Sequence, residues 1–311
     1  MSRFRLVIDE LKTSLQSGGI NDLAAAHAAG IESCRSYRVF CRLLELAYPV
    51  DALLGFYEGV DAQVAELGLA GASDAILDRL PTSWQVRLPP GSEERIHSDP
   101  IVVFGRHGSV LTPFLIAAAI RRPDMKMLAA TYVAKLGPHV ADCTYTVHIP
   151  RPTLRRAARK GILLRVGAWL TAKIDCQIAP ENARAENRAA LSQAAEHVRN
   201  GGSLLIAPDA TNPRARWRSG IGHLIAQIAN GDPGRPEVFL VPYRIWASLT
   251  GLFHLLSQNP LLRVLGRWQY RHPIRVAFGK PLALSDVLRQ TGLDPAAITE
   301  FLESYYHGLG F

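Results

Sequence analysis

A histidine that follows a short apolar run is the first residue whose position suggests catalysis. Residues 101–104, Ile-Val-Val-Phe, predict a buried strand, and His107 lies just beyond them. A helix with an early proline is predicted over 113–120. Strand ends are where α/β folds place reactive groups, and an imidazole there can accept a proton from a hydroxyl near neutral pH. A structural histidine that merely ends the strand is the alternative interpretation.

A second segment brings an acid, a hydroxyl and several arginines to the end of another strand. Residues 203–207 predict this strand, Pro208 closes it, and a helix is predicted over 219–230. The polar residues between these two elements are Asp209, Thr211, Arg214, Arg216 and Arg218. Arginine side chains and the free N–H groups of a helix N-terminus can together hold a phosphate. The segment predicts an anion pocket, with a solvated loop before a surface helix as the alternative.

The elements that must position these segments alternate between strand and helix. Further strands are predicted over 128–133, 238–242 and 274–278, and further helices over 187–199 and 284–306. Strands that alternate with helices indicate an α/β layer structure. We therefore predict an α/β fold in which a central mixed sheet is flanked by helices.

Three regions are predicted along the chain. Apolar residues at helical spacing indicate an N-terminal helical region over 1–90, and no motif with catalytic potential occurs in it. Prolines near its end mark the connection to an α/β domain over 91–285. A C-terminal helix is predicted over 286–311.

Composition limits the class of protein. The chain has 311 residues, of which 48% are hydrophobic, and its 35 Lys+Arg against 27 Asp+Glu give a net charge of +8. This mixture excludes a disordered chain. The 4 cysteines are too few for a disulfide framework, and neither a metal site nor a nucleotide-binding glycine loop is predicted. No apolar stretch is long enough to cross a membrane and no signal peptide precedes the helices, so a cytoplasmic location is predicted.

The positive charge suits a protein that meets an anionic surface. Residues 151–165 concentrate arginines among apolar residues, a pattern that fits a helix on a membrane surface, a nucleic-acid site or an ordinary solvated face. The aromatic residues, 8% of the chain, form no stacking platform, so nucleic acid is not expected as a partner. A membrane surface is an expected partner, with the protein peripheral to the inner membrane.

Together the two segments resemble the motifs of the glycerolipid acyltransferases of the bacterial lysophosphatidate type. The first family motif, Asn-His with Asp five residues after the His, corresponds to Arg106-His107 and Thr112. The third, Pro-Glu-Gly-Thr-Arg, corresponds to 208–212, Pro-Asp-Ala-Thr-Asn. Weaker matches lie at 132–135, 174–177, 217–220, 241–242 and 278–282. The resemblance covers about residues 98–285.

The resemblance implies transfer of an acyl group from an acyl-CoA or acyl-carrier-protein thioester to a hydroxyl or amine acceptor. That acceptor is lipid-like or another small molecule, as in phospholipid biosynthesis, and no cofactor is needed beyond the thioester co-substrate. By the same resemblance His107 is the general base and Thr112 orients its imidazole. The substrate-binding residues implied are Arg106, Ser109, Asp209, Thr211, Arg214, Arg216 and Arg218.

The chain departs from the family where the chemistry is most sensitive. Thr112 replaces the orienting Asp, and a hydroxyl cannot stabilise an imidazolium by charge; in a serine protease the neutral replacement costs about 10⁴ in rate. Asn212 replaces an arginine that binds phosphate in the family. Two interpretations remain open: an acyltransferase whose acceptor is not glycerol phosphate, or an inactive relative that binds lipid or acyl carrier protein. The most informative structural observation is whether a carboxylate, with Asp209 and Asp175 as the candidates, lies within hydrogen-bond reach of the His107 ring.

Overall fold

Helices form the N-terminal part of the molecule. The computed structural model of the chain describes residues 3–17, 19–45, 50–57, 59–80, 82–107, 111–148, 180–209, 216–230, 234, 236–246, 257, 259–269 and 272–310. The N-terminal helices are α1 (Arg3–Ser17), α2 (Ile20–Ser33), α3 (Arg35–Glu45), α4 (Val50–Tyr57) and α5 (Val60–Asp78). These five helices lie within the range 1–90 that was predicted to be helical, and the division into three regions stays a prediction. A kink at Gly68, where φ is 69°, divides α5.

A mixed sheet forms the centre of the molecule, as predicted. Its strands are β1 (Trp84–Arg87), β2 (Ile101–Gly105), β3 (Met125–Ala130), β4 (Thr144–Val147), β5 (Ser203–Ile206), β6 (Phe239–Trp246), β7 (Ile274–Phe278) and β8 (Leu282–Ala283). Their order is β1-β7-β6-β2-β5-β3-β4, with β8 paired to β6. Strand β6 is antiparallel to β7 and β8, and the other pairs are parallel.

Helices cover both faces of this sheet. The remaining helices are α6 (Glu93–Ser98), α7 (Thr112–Ile120), α8 (Thr131–Ala134), α9 (Pro138–Asp142), α10 (Pro180–Arg199), α11 (Gly220–Ala229), α12 (Pro260–Gln269), α13 (Leu284–Thr291) and α14 (Pro295–Gly308). None of the described helices is long and apolar enough to span a membrane.

The central strand β2 shows how the two layers of core are built. Its residues alternate between two apolar clusters: Ile101 and Val103 pack with α5 and α7, whereas Val102 and Phe104 pack with α10, α11 and α14. All four side chains are fully buried. A strand covered on both faces needs a continuous apolar sequence, which explains why this run was recognisable as a strand.

Arg122 fixes the end of the sheet from which β2, β3 and β5 start. Its guanidinium is buried and pairs with Asp124 through Nε at 2.8 Å and Nη2 at 2.5 Å. It also donates to the carbonyl oxygen of Gly201 at 2.9 Å and to that of Asp99. These partners lie just before three neighbouring strands, so one side chain aligns β2, β3 and β5 at the end of the sheet opposite the residues that follow β2 and β5.

The structure corrects two predicted elements and adds others, among them the strands β1, β4 and β8. The predicted strand over 128–133 is wrong in its boundaries: β3 covers Met125–Ala130, and Thr131–Ala134 form a helix. The predicted helix over 284–306 is two helices, because Gly292, with φ of 63°, ends the first and Asp294 caps the second. Strand β1 at the sheet edge was not predicted, since three of its four residues are exposed and no apolar pattern marks it.

Candidate active site

The two segments singled out in the sequence meet at one edge of the sheet. Strands β2 and β5 are parallel neighbours with Phe104 opposite Ile206. The chain therefore leaves both strands at the same edge, where Arg106 and His107 follow β2 and Asp209 follows β5. This edge, formed by Arg106, His107 and Asp209, is called the candidate site below. Such an edge is where open α/β sheets bind ligands.

Asp209 joins the two segments directly. The residue is 4% exposed, and Oδ1 accepts a hydrogen bond from the backbone N–H of His107 at 3.0 Å. Burial raises the pKa of this carboxyl, although the His107 N–H and the Arg106 guanidinium act in the opposite direction. Oδ2 lies 3.9 Å from Arg106 Nε, and no described residue hydrogen-bonds it. Asp209 thus positions the backbone of His107, whereas its second oxygen faces Arg106.

The imidazole of His107 has no hydrogen-bonding carboxylate among the described residues. Burial lowers the pKa of the ring, so it is neutral near pH 7 and able to accept a proton. Asp209 contacts the backbone of this residue rather than its ring. Thr112, the expected orienter, is buried at the start of α7. Thr112 as the orienting residue stays a prediction.

Arg106 is held by α14, a contribution that the sequence did not indicate. Its Nη2 donates to Nε2 of His307 at 3.1 Å, and its backbone hydrogen-bonds the hydroxyl of Tyr306. Glu303, one turn before His307, accepts a hydrogen bond from the backbone N–H of Trp217 at 3.1 Å. The spacing of Glu303 and His307 places both on one face of α14. The four-residue spacing is the only feature of the sequence that links Glu303 and His307, and it does not show that they contact Trp217 and Arg106.

Tyr243 packs beneath the candidate site on β6. It lies opposite Gly105, and a Cβ on Gly105 would collide with the carbonyl oxygen of Tyr243. The side chain of Tyr243 is fully buried, and its hydroxyl has no hydrogen-bond partner among the described residues. Burial raises the pKa of this hydroxyl far above its usual value, and the negative charge of Asp209 adds to the effect. Tyr243 is therefore a neutral phenol close to a carboxylate.

The predicted anion pocket is described only in part. Arg216 and Arg218 are exposed, and the backbone N–H of Arg218 donates to the carbonyl oxygen of Pro208 at 3.4 Å. This bond keeps the start of α11 next to the Asp209 segment. The other predicted contributors lie outside the described residues: Ser109, Thr211 and Arg214. The same is true of Asp175 and of the basic run 151–165.

No cluster of metal-ligating side chains occurs within the described ranges. The groups available at the candidate site are a neutral imidazole, a buried carboxyl and a guanidinium. These can accept a proton, fix a loop and attract an anion, respectively. General base catalysis on an acceptor that carries a hydroxyl or an amine is within their chemistry.

Comparison with known proteins gives a distant similarity to a solved structure. No family model matches the chain, and no curated protein matches it. Among solved structures, the chain is similar to the 1-acyl-sn-glycerophosphate acyltransferase of Thermotoga maritima. The two are 14% identical, the similarity covers 92% of this chain and 93% of that one, and the TM-score is 0.41. The α/β fold is established by the observed topology of the sheet itself.

Proposed function

We propose that the chain is an acyltransferase that moves an acyl group from a thioester to a hydroxyl or amine acceptor. The observation that carries the proposal is the hydrogen bond between Asp209 and the backbone of His107 at the ends of adjacent parallel strands. It brings together the two segments that resemble separate motifs of the glycerolipid acyltransferases. The donor expected from that resemblance is an acyl-CoA or an acyl carrier protein, and the acceptor is lipid-like.

The reaction needs one base and no cofactor. The His107 imidazole takes the proton of the acceptor O–H or N–H as the acceptor attacks the thioester carbonyl carbon. The new C–O or C–N bond forms, the C–S bond breaks, and the leaving thiolate recovers the proton from the imidazolium. The lowered pKa of His107 keeps the ring in the neutral form that this step requires.

Arg106 gives the candidate site its positive charge. Its guanidinium is fixed by His307 on one side and lies 3.9 Å from Asp209 on the other. A guanidinium held in this way suits an anionic group on either substrate, because arginine binds phosphate and carboxylate groups with two parallel hydrogen bonds. Arg216 and Arg218 extend this charge toward the start of α11.

A second candidate function follows from the ring of His107. Since no described carboxylate stabilises the imidazolium, an inactive relative that binds lipid or acyl carrier protein is favoured by the same geometry. Loss of such a charge costs about 10⁴ in a serine protease. A thioester is a more reactive acyl donor than an amide, so a weaker base is sufficient for a good nucleophile.

One experiment separates the two functions. The protein is incubated with acyl-CoA or acyl carrier protein and a panel of amines and alcohols, and products are detected by mass spectrometry. We expect His107→Ala to reduce transfer by about 10²–10⁴-fold, the usual contribution of a general base. His223→Ala is the matched control, because His223 is exposed on α11. Absence of transfer to every acceptor, together with retained thioester binding, would favour the inactive relative.

A further inference from the structure

Helix α12 turns an apolar stripe toward solvent. Four large side chains lie on this face: Leu261 is 75% exposed, Val264 61%, Leu265 48% and Trp268 64%. Their spacing, at positions one, four, five and eight of a helix, places them on a single face. In a helix of a globular protein such a face normally packs on the core, so the outward orientation of this one needs an explanation.

The inward side of α12 is also defined. Gly266 is buried and Leu262 is half-buried, so this side faces the rest of the protein. Asn259 fixes the start of the helix, because its side-chain oxygen accepts a hydrogen bond from the N–H of Leu261 at 3.0 Å. The solvent-facing stripe therefore belongs to a capped helix with a distinct inner side.

Positive charge accompanies the apolar stripe. Arg263 and Arg267 are exposed one turn apart along the flank of α12. The sequence over 238–285 contains no Asp or Glu at all. The same range contains six basic residues: Arg244, Arg263, Arg267, Arg271, Arg275 and Lys280. Since Arg263 and Arg267 lie on α12 itself, the partner that complements this helix is apolar where it meets the stripe and negatively charged around it.

We propose that α12 is a docking helix that lies in the plane of an anionic lipid surface. The apolar stripe enters the acyl-chain boundary, Trp268 lies at the headgroup level, and the arginines contact anionic headgroups. A helix of ten residues is about 15 Å long, and its one face is much smaller than the ~800 Å² that each partner contributes to a stable protein–protein interface. A lipid surface needs no such complementary area.

Vesicle binding tests the proposal without reference to catalysis. The intact protein is sedimented with vesicles of phosphatidylglycerol mixed with phosphatidylcholine, and with vesicles of phosphatidylcholine alone. We expect binding to the anionic vesicles that weakens as salt is raised. The variant Leu261→Ser with Trp268→Ser should bind at least about tenfold more weakly, because each replacement removes apolar area from the lipid. Arg263→Gln and Arg267→Gln should each weaken binding about fivefold.

Matched controls exclude a general effect of surface changes. Leu67 and Leu293 are 50% and 52% exposed on other parts of the molecule, and replacing both with Ser should leave vesicle binding unchanged. Thermal unfolding of each variant checks that the fold is intact, and all the altered side chains are exposed. Reduced binding of a variant whose melting temperature equals that of the wild type therefore reports on the surface.

Three results would overturn the proposal. The first is equal binding of the wild type to both kinds of vesicle, or binding to neither. The second is unchanged binding of the α12 variants together with loss of binding when Val39 and Leu43, which are exposed on α3, are replaced with Ser. The third is a dimer in sedimentation velocity that the α12 variants dissociate, without vesicle binding, because the stripe would then join two copies of the chain.

Discussion

The substitution Asp209→Asn separates two roles that a buried acid can have beside His107, the proposed general base. In the structure Asp209 accepts a hydrogen bond from the backbone N–H of His107 at 3.0 Å and does not contact the ring. Asparagine retains an acceptor oxygen of the same shape but carries no charge. Alanine removes the acceptor altogether. The two variants therefore distinguish a carboxylate that fixes a loop from one that stabilises an imidazolium.

The expected sizes follow from this geometry. Asp209→Ala leaves a part-buried N–H without its acceptor, which costs ~1–3 kcal/mol in the free energy of unfolding. Asp209→Asn keeps that bond, and because burial raises the pKa of the carboxyl, removal of the charge is not itself a loss. We expect the unfolding free energy of the Asn variant to stay within ~1 kcal/mol of the wild type at pH 7. Acyl transfer should fall by far less than the ~10⁴ that follows loss of a triad carboxylate.

Urea unfolding and acyl-transfer rates are measured for the wild type and both variants. The raised pKa adds a second check: the native state retains the proton of Asp209 to a higher pH than the unfolded chain does. The contribution of this group to stability therefore falls as pH rises from its ordinary pKa through the raised one, and the Asn variant should lack this change. If Asp209→Asn unfolds like the wild type but loses about 10⁴ in rate, the carboxylate acts on the ring and our reasoning is wrong.

Three further predictions concern the ring, the sheet and the buried arginine. Burial lowers the pKa of His107, so the acidic limb of the kcat/KM profile should lie below pH 6.5; a limb above that value would contradict a desolvated base. Gly105→Ala should lower the unfolding free energy by at least ~1–3 kcal/mol, since its Cβ meets a backbone oxygen of the adjacent strand, whereas Gly55→Ala in open space should stabilise the protein by ~0.5–1 kcal/mol. Similar melting curves for the two would contradict this packing. Arg122→Leu leaves the Asp124 carboxylate with the Ser203 hydroxyl in place of its charged partner and removes the donor of two carbonyl groups, so it should cost ~3–5 kcal/mol in chemical unfolding. Arg289→Leu, at a side chain 75% exposed, should change stability by less than ~1 kcal/mol, and equal losses would refute a structural role for Arg122.

The buried strands were predictable from the sequence because a strand that is covered on both faces needs apolar residues along its whole length. Strand β2 is covered on both faces, so it reads as an uninterrupted apolar run, and β7 falls on the predicted residues 274–278. The end of β3 was not predictable in this way. Residues 131–133 are Thr-Tyr-Val, which favour strands, but the partner strand β4 ends opposite Ala130 and the chain turns into a helix there.

Only those residues of the candidate site that directly follow a recognisable strand were predictable from the sequence. His107 and Asp209 each follow a recognisable strand, so their position at one edge could be inferred. The atoms through which they interact could not be inferred. In the structure Asp209 accepts a hydrogen bond from the backbone N–H of His107 rather than from its ring. His307 was missed because its role depends on the packing of α14 against Arg106, a tertiary contact that leaves no pattern in the neighbouring sequence.

The support that α14 gives to Arg106 has a consequence for the order of assembly. The two residues in that contact are 201 positions apart in the chain, and such a distant pairing forms after the local helices and strands because closing so long a loop costs entropy. A nascent chain that has folded only as far as Asp209 already carries both His107 and Asp209, yet the Arg106 guanidinium does not yet have its hydrogen bond to His307. The candidate site is thus fully assembled only in molecules in which nearly the entire chain, including α14, has folded.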